Sequence, residues 1–156
     1  MTKFLKIFLF IIVIFAFFST ISYSQDNWWK EKKFKDIKTK IKYDDCKKSF
    51  KEIAAGLNYS NTNSIKKYFT DQIYLNIIST EKGYYSSSQA EIILDDFMNY
   101  FKVISFKFKR SYYKNSFAFA LGTYKYDIGS GVRELEVSVT LNYDNGTWYI
   151  DQITVN

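Results

Sequence analysis

The sequence predicts an α+β domain, with helices on one face of an antiparallel sheet. Three observations carry this. Apolar residues recur at helical spacing as far as Phe101, and from Val103 the period becomes two and stays so to the end. The period-two runs are also separated by short polar turns, of which Asp144-Asn145-Gly146 is the clearest hairpin signal. A run of helices followed by a run of strands is the α+β pattern.

The chain opens with Lys3 and Lys6, then twelve uninterrupted apolar residues from Ile7 to Phe18, then Ser22-Tyr23-Ser24. This charged, apolar, small-x-small order predicts a secretory signal over 1–24 with cleavage before Gln25. The apolar run would span about 18 Å as a helix, short of a hydrocarbon core of about 30 Å. The expected location is therefore periplasmic or secreted, with an uncleaved membrane anchor as the competing reading. No Cys stands at the expected cleavage point to accept a lipid.

Residues 25–44 read as a basic leader. Trp28 and Trp29 precede seven lysines between Lys30 and Lys42, and Phe34, Ile37 and Ile41 fall on one helical face. One reading is contact with an anionic membrane surface through 28–42, led by Trp28, Trp29, Lys30, Lys32 and Lys33. The plainer reading is a solvated, partly helical connector, because three apolar positions make a thin stripe.

The domain proper is expected over 45–156. A first helix is predicted from Asp45 to Asn58, capped by Asp44 or Asp45, with Cys46, Phe50, Ile53, Ala54 and Leu57 on one face. That register predicts Cys46 to be a buried structural thiol. A short second helix is expected around Ile65, Tyr68 and Phe69, then a strand from Gln72 to Ser79. A turn at Glu81-Lys82-Gly83 leads to Tyr84-Tyr85. A long helix over 88–102 starts at the capping box Ser88 to Glu91 and buries Ala90, Ile93, Leu94, Phe97 and Phe101. Asp95 and Asp96 fall on its polar side.

Four strands follow. Ile104, Phe106 and Phe108 alternate with polar residues; Phe117, Phe119 and Leu121 alternate with Ala118, Ala120 and Gly122; Leu135 to Tyr143 alternate in the same way. In the last strand Trp148 and Ile150 are out of phase with Ile153 and Val155, which predicts a bulge near Asp151-Gln152. Gly122 inside a strand marks a bend or a close contact.

Composition excludes several chemistries. The chain has no His and one Cys. It therefore has no His-dependent nucleophile, no His-bearing or Cys-rich metal site and no internal disulfide. No cofactor or metal is expected. The net charge of +6 comes from the signal and the segment behind it. From Ser49 onward eleven basic side chains balance eleven acidic ones, so the domain has no nucleic-acid footprint.

Ala55-Gly56-Leu57 precedes Ile65 to Phe69, Tyr85 to Ala90 precedes Asp96-Phe97, and Ala120 to Tyr124 precedes Gly131-Val132-Arg133 and Trp148 to Ile153. In that order these segments resemble a small exported family of unknown function within the nuclear-transport-factor-2-like (cystatin-like) cone superfamily. The resemblance implies a strongly bent sheet wrapped around the long helix and two N-terminal helices, with an apolar pocket in the cone. It implies no known reaction.

Three functions are weighed. The first is a non-catalytic binding domain whose pocket draws on Tyr84, Tyr85, Phe106, Phe108, Phe119 and Tyr124, for an apolar small molecule or a peptide. The plainer reading of each ring is core filling. The second is a cone-fold isomerase or dehydratase using a Tyr with Asp71, Asp127 or Asp151, none of which the spacing selects. The third is an interaction module, a homodimer through the sheet of the last four strands. Tyr112, Tyr113 and Tyr126 are expected at strand ends, where a partner surface is an equal reading.

Overall fold

The computed structural model describes residues 28–78, 81–127 and 129–156, so the expected signal lies outside the described residues. Helix α1 runs Ile37–Asn58, beginning eight residues before the expected start. Asp36, rather than Asp44 or Asp45, caps it, accepting from Thr39 N at 2.7 Å and Thr39 Oγ1 at 2.8 Å. The buried stripe extends backward from Cys46 to Tyr43. Of the apolar stripe expected in the basic segment, Phe34 packs against the core and Ile37 and Ile41 stay exposed.

Helix α2 is short, Thr62–Lys66, and stops before Tyr68 and Phe69. Gly56 lets it pack on α1, since a Cβ there would lie 2.6 Å from Ile65 Cγ1. Phe69 instead opens strand β1, Phe69–Ile77, followed by β2, Glu81–Ser86. Glu81-Lys82-Gly83 is therefore strand, paired to Asn76 and its neighbours, and not the expected turn.

Helix α3, Ser87–Tyr100, has its capping box two residues ahead of the expected one. Ser86 and Gln89 form the box, with Ser86 N donating to Gln89 Oε1 at 3.0 Å. Glu91, the expected partner, instead pairs with Lys66 of α2. The buried face holds Ala90, Leu94, Phe97 and Met98.

Strands β3 (Val103–Lys114), β4 (Phe117–Asp127), β5 (Val132–Asp144) and β6 (Thr147–Val155) complete a strongly bent sheet of order β2-β1-β6-β5-β4-β3. The sheet is mixed, because β1 and β6 run parallel where they meet. This pair joins the first hairpin to the C-terminal meander, a long-range pairing that no local pattern announces. The bulge in β6 falls where expected: Leu141 pairs with Ile150 and Thr140 with Gln152, leaving Asp151 extra. A second bulge, at Lys109 of β3, flips the parity, so Phe106 and Phe108 face inward before it and Tyr113 after it.

The sheet curls around α1 and α3, and α1 is the longer of the two. Trp148 is buried against α1 and donates its Nε1 to Lys42 O at 2.9 Å. Asn58 Oδ1 accepts from Phe106 N at 2.7 Å, tying the end of α1 to the edge strand β3.

On β4 the inner face carries Ala118, Ala120, Gly122 and Tyr124, and Phe117 and Phe119 point outward. Gly122 is the point of closest approach. A Cβ there would sit 2.7 Å from both Lys107 O and Phe106 Cζ. The carbonyl belongs to a paired strand and cannot give way. Gly122→Ala is therefore expected to destabilise the fold by about 1–3 kcal/mol, read as a lower urea midpoint at unchanged slope.

Candidate functional site

The six rings expected to line a pocket do not come together. Phe106, Phe108 and Tyr124 are buried in the core. Phe106 packs edge-on to Phe108 at 4.9 Å, Tyr124 lies 5.2 Å from Phe97, and the Tyr124 hydroxyl donates to Phe101 O at 2.7 Å. Phe119 is on the outer face, stacked on Tyr112 at 5.8 Å, because its parity on β4 is opposite to that of the small inner residues. Tyr84 is exposed on the edge strand beside Tyr74. Tyr85 is half-buried and donates to Glu81 Oε2 at 2.9 Å. The cone interior is thus packed with side chains.

The Trp pair expected at a membrane surface is in that interior. Trp28 and Trp29 are 8% and 5% exposed, against Phe50, Phe108, Tyr43 and Tyr113. Two large rings bury more apolar area here than a solvated leader would, and Trp28 and Trp29 pack into the same core cluster as the residues that follow Asp45. Lys30, Lys32 and Lys33 remain exposed, with Lys32 Nζ donating to Tyr113 O at 2.7 Å. Cys46 is fully buried and its thiol is pushed far up by burial, so it is the inert structural thiol expected.

Asp71, Asp127 and Asp151 are exposed. Asp127 accepts from Gly129 N at 2.8 Å in a turn. Asp71 and Asp151 border a shallow cleft of about 440 Å³ with Tyr149. None is a buried carboxylate facing a tyrosine, which an enolising site needs. Of the strand-end tyrosines, Tyr112 is exposed, Tyr113 buried and Tyr126 half-buried against Phe101 at 4.9 Å.

The described residues form a different recess at the other end of the cone. Ile77, Ile93, Phe97 and Phe101 floor a groove of about 420 Å³ between the end of β1 and α3, with Ile78, Glu81, Asp96 and Tyr100 at its rim. Tyr100 is 80% exposed and leans on Phe101 at 4.7 Å. Ile78 holds φ 45°, an uncommon conformation for a β-branched residue, at the groove's lip. A cleft of about 610 Å³ between α2 and α3 is polar instead, and its Asp95 already accepts from Thr62 Oγ1 at 2.7 Å. The spacing puts Ile93, Phe97 and Phe101 on one apolar stripe with Ala90 and Leu94, but of these Ile93 and Phe101 are only half-buried, and the width of the stripe is the sequence signal for the groove.

Residues 50–156 match the model of a domain of unknown function, DUF4783. The chain belongs to the DUF4783 family. Solved structures agree with this. A DUF4783 protein from Bacteroides uniformis superposes with a TM-score of 0.62 at 19% identity, covering 68% of this chain and 94% of its own. One from Bacteroides ovatus gives 0.60 at 17%, covering 67% and 90%. An NTF2-like protein of unknown function from Pseudomonas putida gives 0.58 at 11%, covering 72% and 84%. No curated protein matches. The expected family and its cone fold are borne out, and the DUF4783 match begins at Phe50, inside α1, leaving the Trp pair ahead of it.

Burial raises the hydroxyls of Tyr113 and Tyr124 in this DUF4783 protein to about 12. An unfolded tyrosine loses its proton near pH 10. Between those values the unfolded chain binds fewer protons than the folded one, so stability is intact below pH 10 and falls as pH rises to 12. The urea midpoint is expected to drop across that window, and Tyr124→Phe to make the drop shallower.

Proposed function

We propose that this chain is a non-catalytic binding domain acting outside the cytoplasm, and that its groove takes an apolar group bearing a positive charge, such as a Phe-Lys stretch of a peptide. The observation that carries the reading is the pairing of an apolar floor at Ile93, Phe97 and Phe101 with the carboxylates of Glu81 and Asp96 at the rim. Apolar burial supplies affinity and the rim charge supplies orientation. The volume of about 420 Å³ suits a small ligand or a few side chains. The strained Ile78 beside it supports a clamp, since such strain concentrates at ligand sites. Export is supported by the charged start, the apolar run and Ser22-Tyr23-Ser24.

A second reading, self-assembly, is favoured by a specific surface. Tyr112, Phe117 and Phe119 are 46%, 41% and 38% exposed side by side on the outer face of β3 and β4. Adjacent apolar rings on a sheet face suit a twofold contact.

Native mass spectrometry of the exported product with a Leu-Phe-Lys amide probe tests both readings. The expected species begins at Gln25 and holds one peptide per chain. Ile93→Asp should abolish binding, and Glu81→Gln with Asp96→Asn should weaken it several-fold. Binding indifferent to Ile93→Asp would remove the groove. A ligand-free dimer disrupted by Phe119→Lys would favour assembly instead.

A further inference from the structure

The segment that carries the Trp pair is held in the way a bound peptide is held. Residues 30–34 have neither helix nor strand structure, and the fold reads their main chain and that of Trp28 through side chains. Ser111 Oγ donates to Trp28 O at 2.7 Å and the Tyr43 hydroxyl donates to Lys30 O. The indoles fill an aromatic recess, with Trp28 5.4 Å from Phe108 and Trp29 5.2 Å from Tyr43 and 5.8 Å from Phe50. Main-chain bonds with aromatic anchors in a desolvated recess are the components of peptide recognition.

Two observations separate this strap from an ordinary piece of core. The fit is incomplete: the Tyr113 hydroxyl is buried with no hydrogen-bond partner, on a residue 6% exposed. Trp29 Nε1, on a residue 5% exposed, approaches the Tyr43 hydroxyl without hydrogen-bond geometry. A native core leaves few such groups unsatisfied. The strap also lies ahead of the stretch shared with the family, which begins at Phe50 and contains the recess walls Phe50, Phe108 and Tyr113. Lys30, Lys32, Lys33 and Lys35 are exposed along it, and of these Lys32 reaches back to Tyr113 O.

We propose that this recess is a recognition site for a peptide segment of another chain carrying adjacent tryptophans beside lysines, and that residues 28–32 occupy it as the resident competitor. A ligand with an acceptor near the second indole would also satisfy the Tyr113 hydroxyl. The recess shares no residue with the groove at α3, so this site stands or falls apart from that reading.

Two measurements on the full-length chain test it. In hydrogen exchange, amides 28–34 should exchange at least tenfold faster than those of 50–57, and Ser111→Ala should accelerate only the former. Exchange of the strap solely through global unfolding would overturn the proposal, even if no strap variant folds. In binding, a dye-labelled peptide of residues 25–36 should bind the Trp28→Ala/Trp29→Ala chain at least tenfold tighter than the unsubstituted chain. The same peptide with both tryptophans replaced by alanine should not bind. A folded double variant that fails to bind the first peptide would also overturn it.

Discussion

Gly122 lets the ring of Phe106 lie against the floor of the sheet, and the rest of the interior is arranged around that contact. A side chain at this point would meet a strand carbonyl and the ring together. With the floor kept flat by Ala118, Ala120 and Gly122, the bulky groups come from elsewhere: α1, β3 and the N-terminal strap. Small residues on one strand facing large ones from its neighbours is how a curved sheet reaches native packing density. The result is a cone whose inside is occupied.

That occupancy leaves the recesses of the described residues at the surface and the ends of the cone. A family of cone-shaped domains invites the expectation of an internal ligand cavity, and here Phe106, Phe108 and Tyr124 are spent on packing. What is left open is the end where α3 meets the β1–β2 hairpin. There the apolar stripe of α3 is wider than the sheet beneath it, so Ile93 and Phe101 stay half-covered beside Glu81 and Asp96. At the opposite end the strap closes the cone and shields the edge strand β3, whose carbonyl at Tyr113 is taken by Lys32.

Much of the architecture was legible because it is periodic. The change of period at Val103, the out-of-phase last strand and the α3 stripe each follow from side chains alternating about a fixed local geometry. The β6 bulge at Asp151 is the clearest case, since a single extra residue is the one way to keep Trp148, Ile150, Ile153 and Val155 on one face. Local signals failed where two candidates obeyed the same rule. Ser86-x-x-Gln89 and Ser88-x-x-Glu91 are equally good capping boxes, and what separates them is Lys66, brought to Glu91 by tertiary packing.

The sequence alone determined the α+β class, the run of four C-terminal strands, the exclusion of histidine chemistry and the burial of Cys46, because composition and short-range spacing suffice for each. Tertiary structure decided which parity of β4 faces inward, that β1 and β6 run parallel, and that Trp28 and Trp29 belong to the core. All three depend on contacts between residues far apart in the chain: Gly122 with Phe106, β1 with β6, and the strap with Tyr43, Phe50 and Phe108. A pattern repeated along one strand is the same whichever face is buried, and only the partner across the fold breaks the tie.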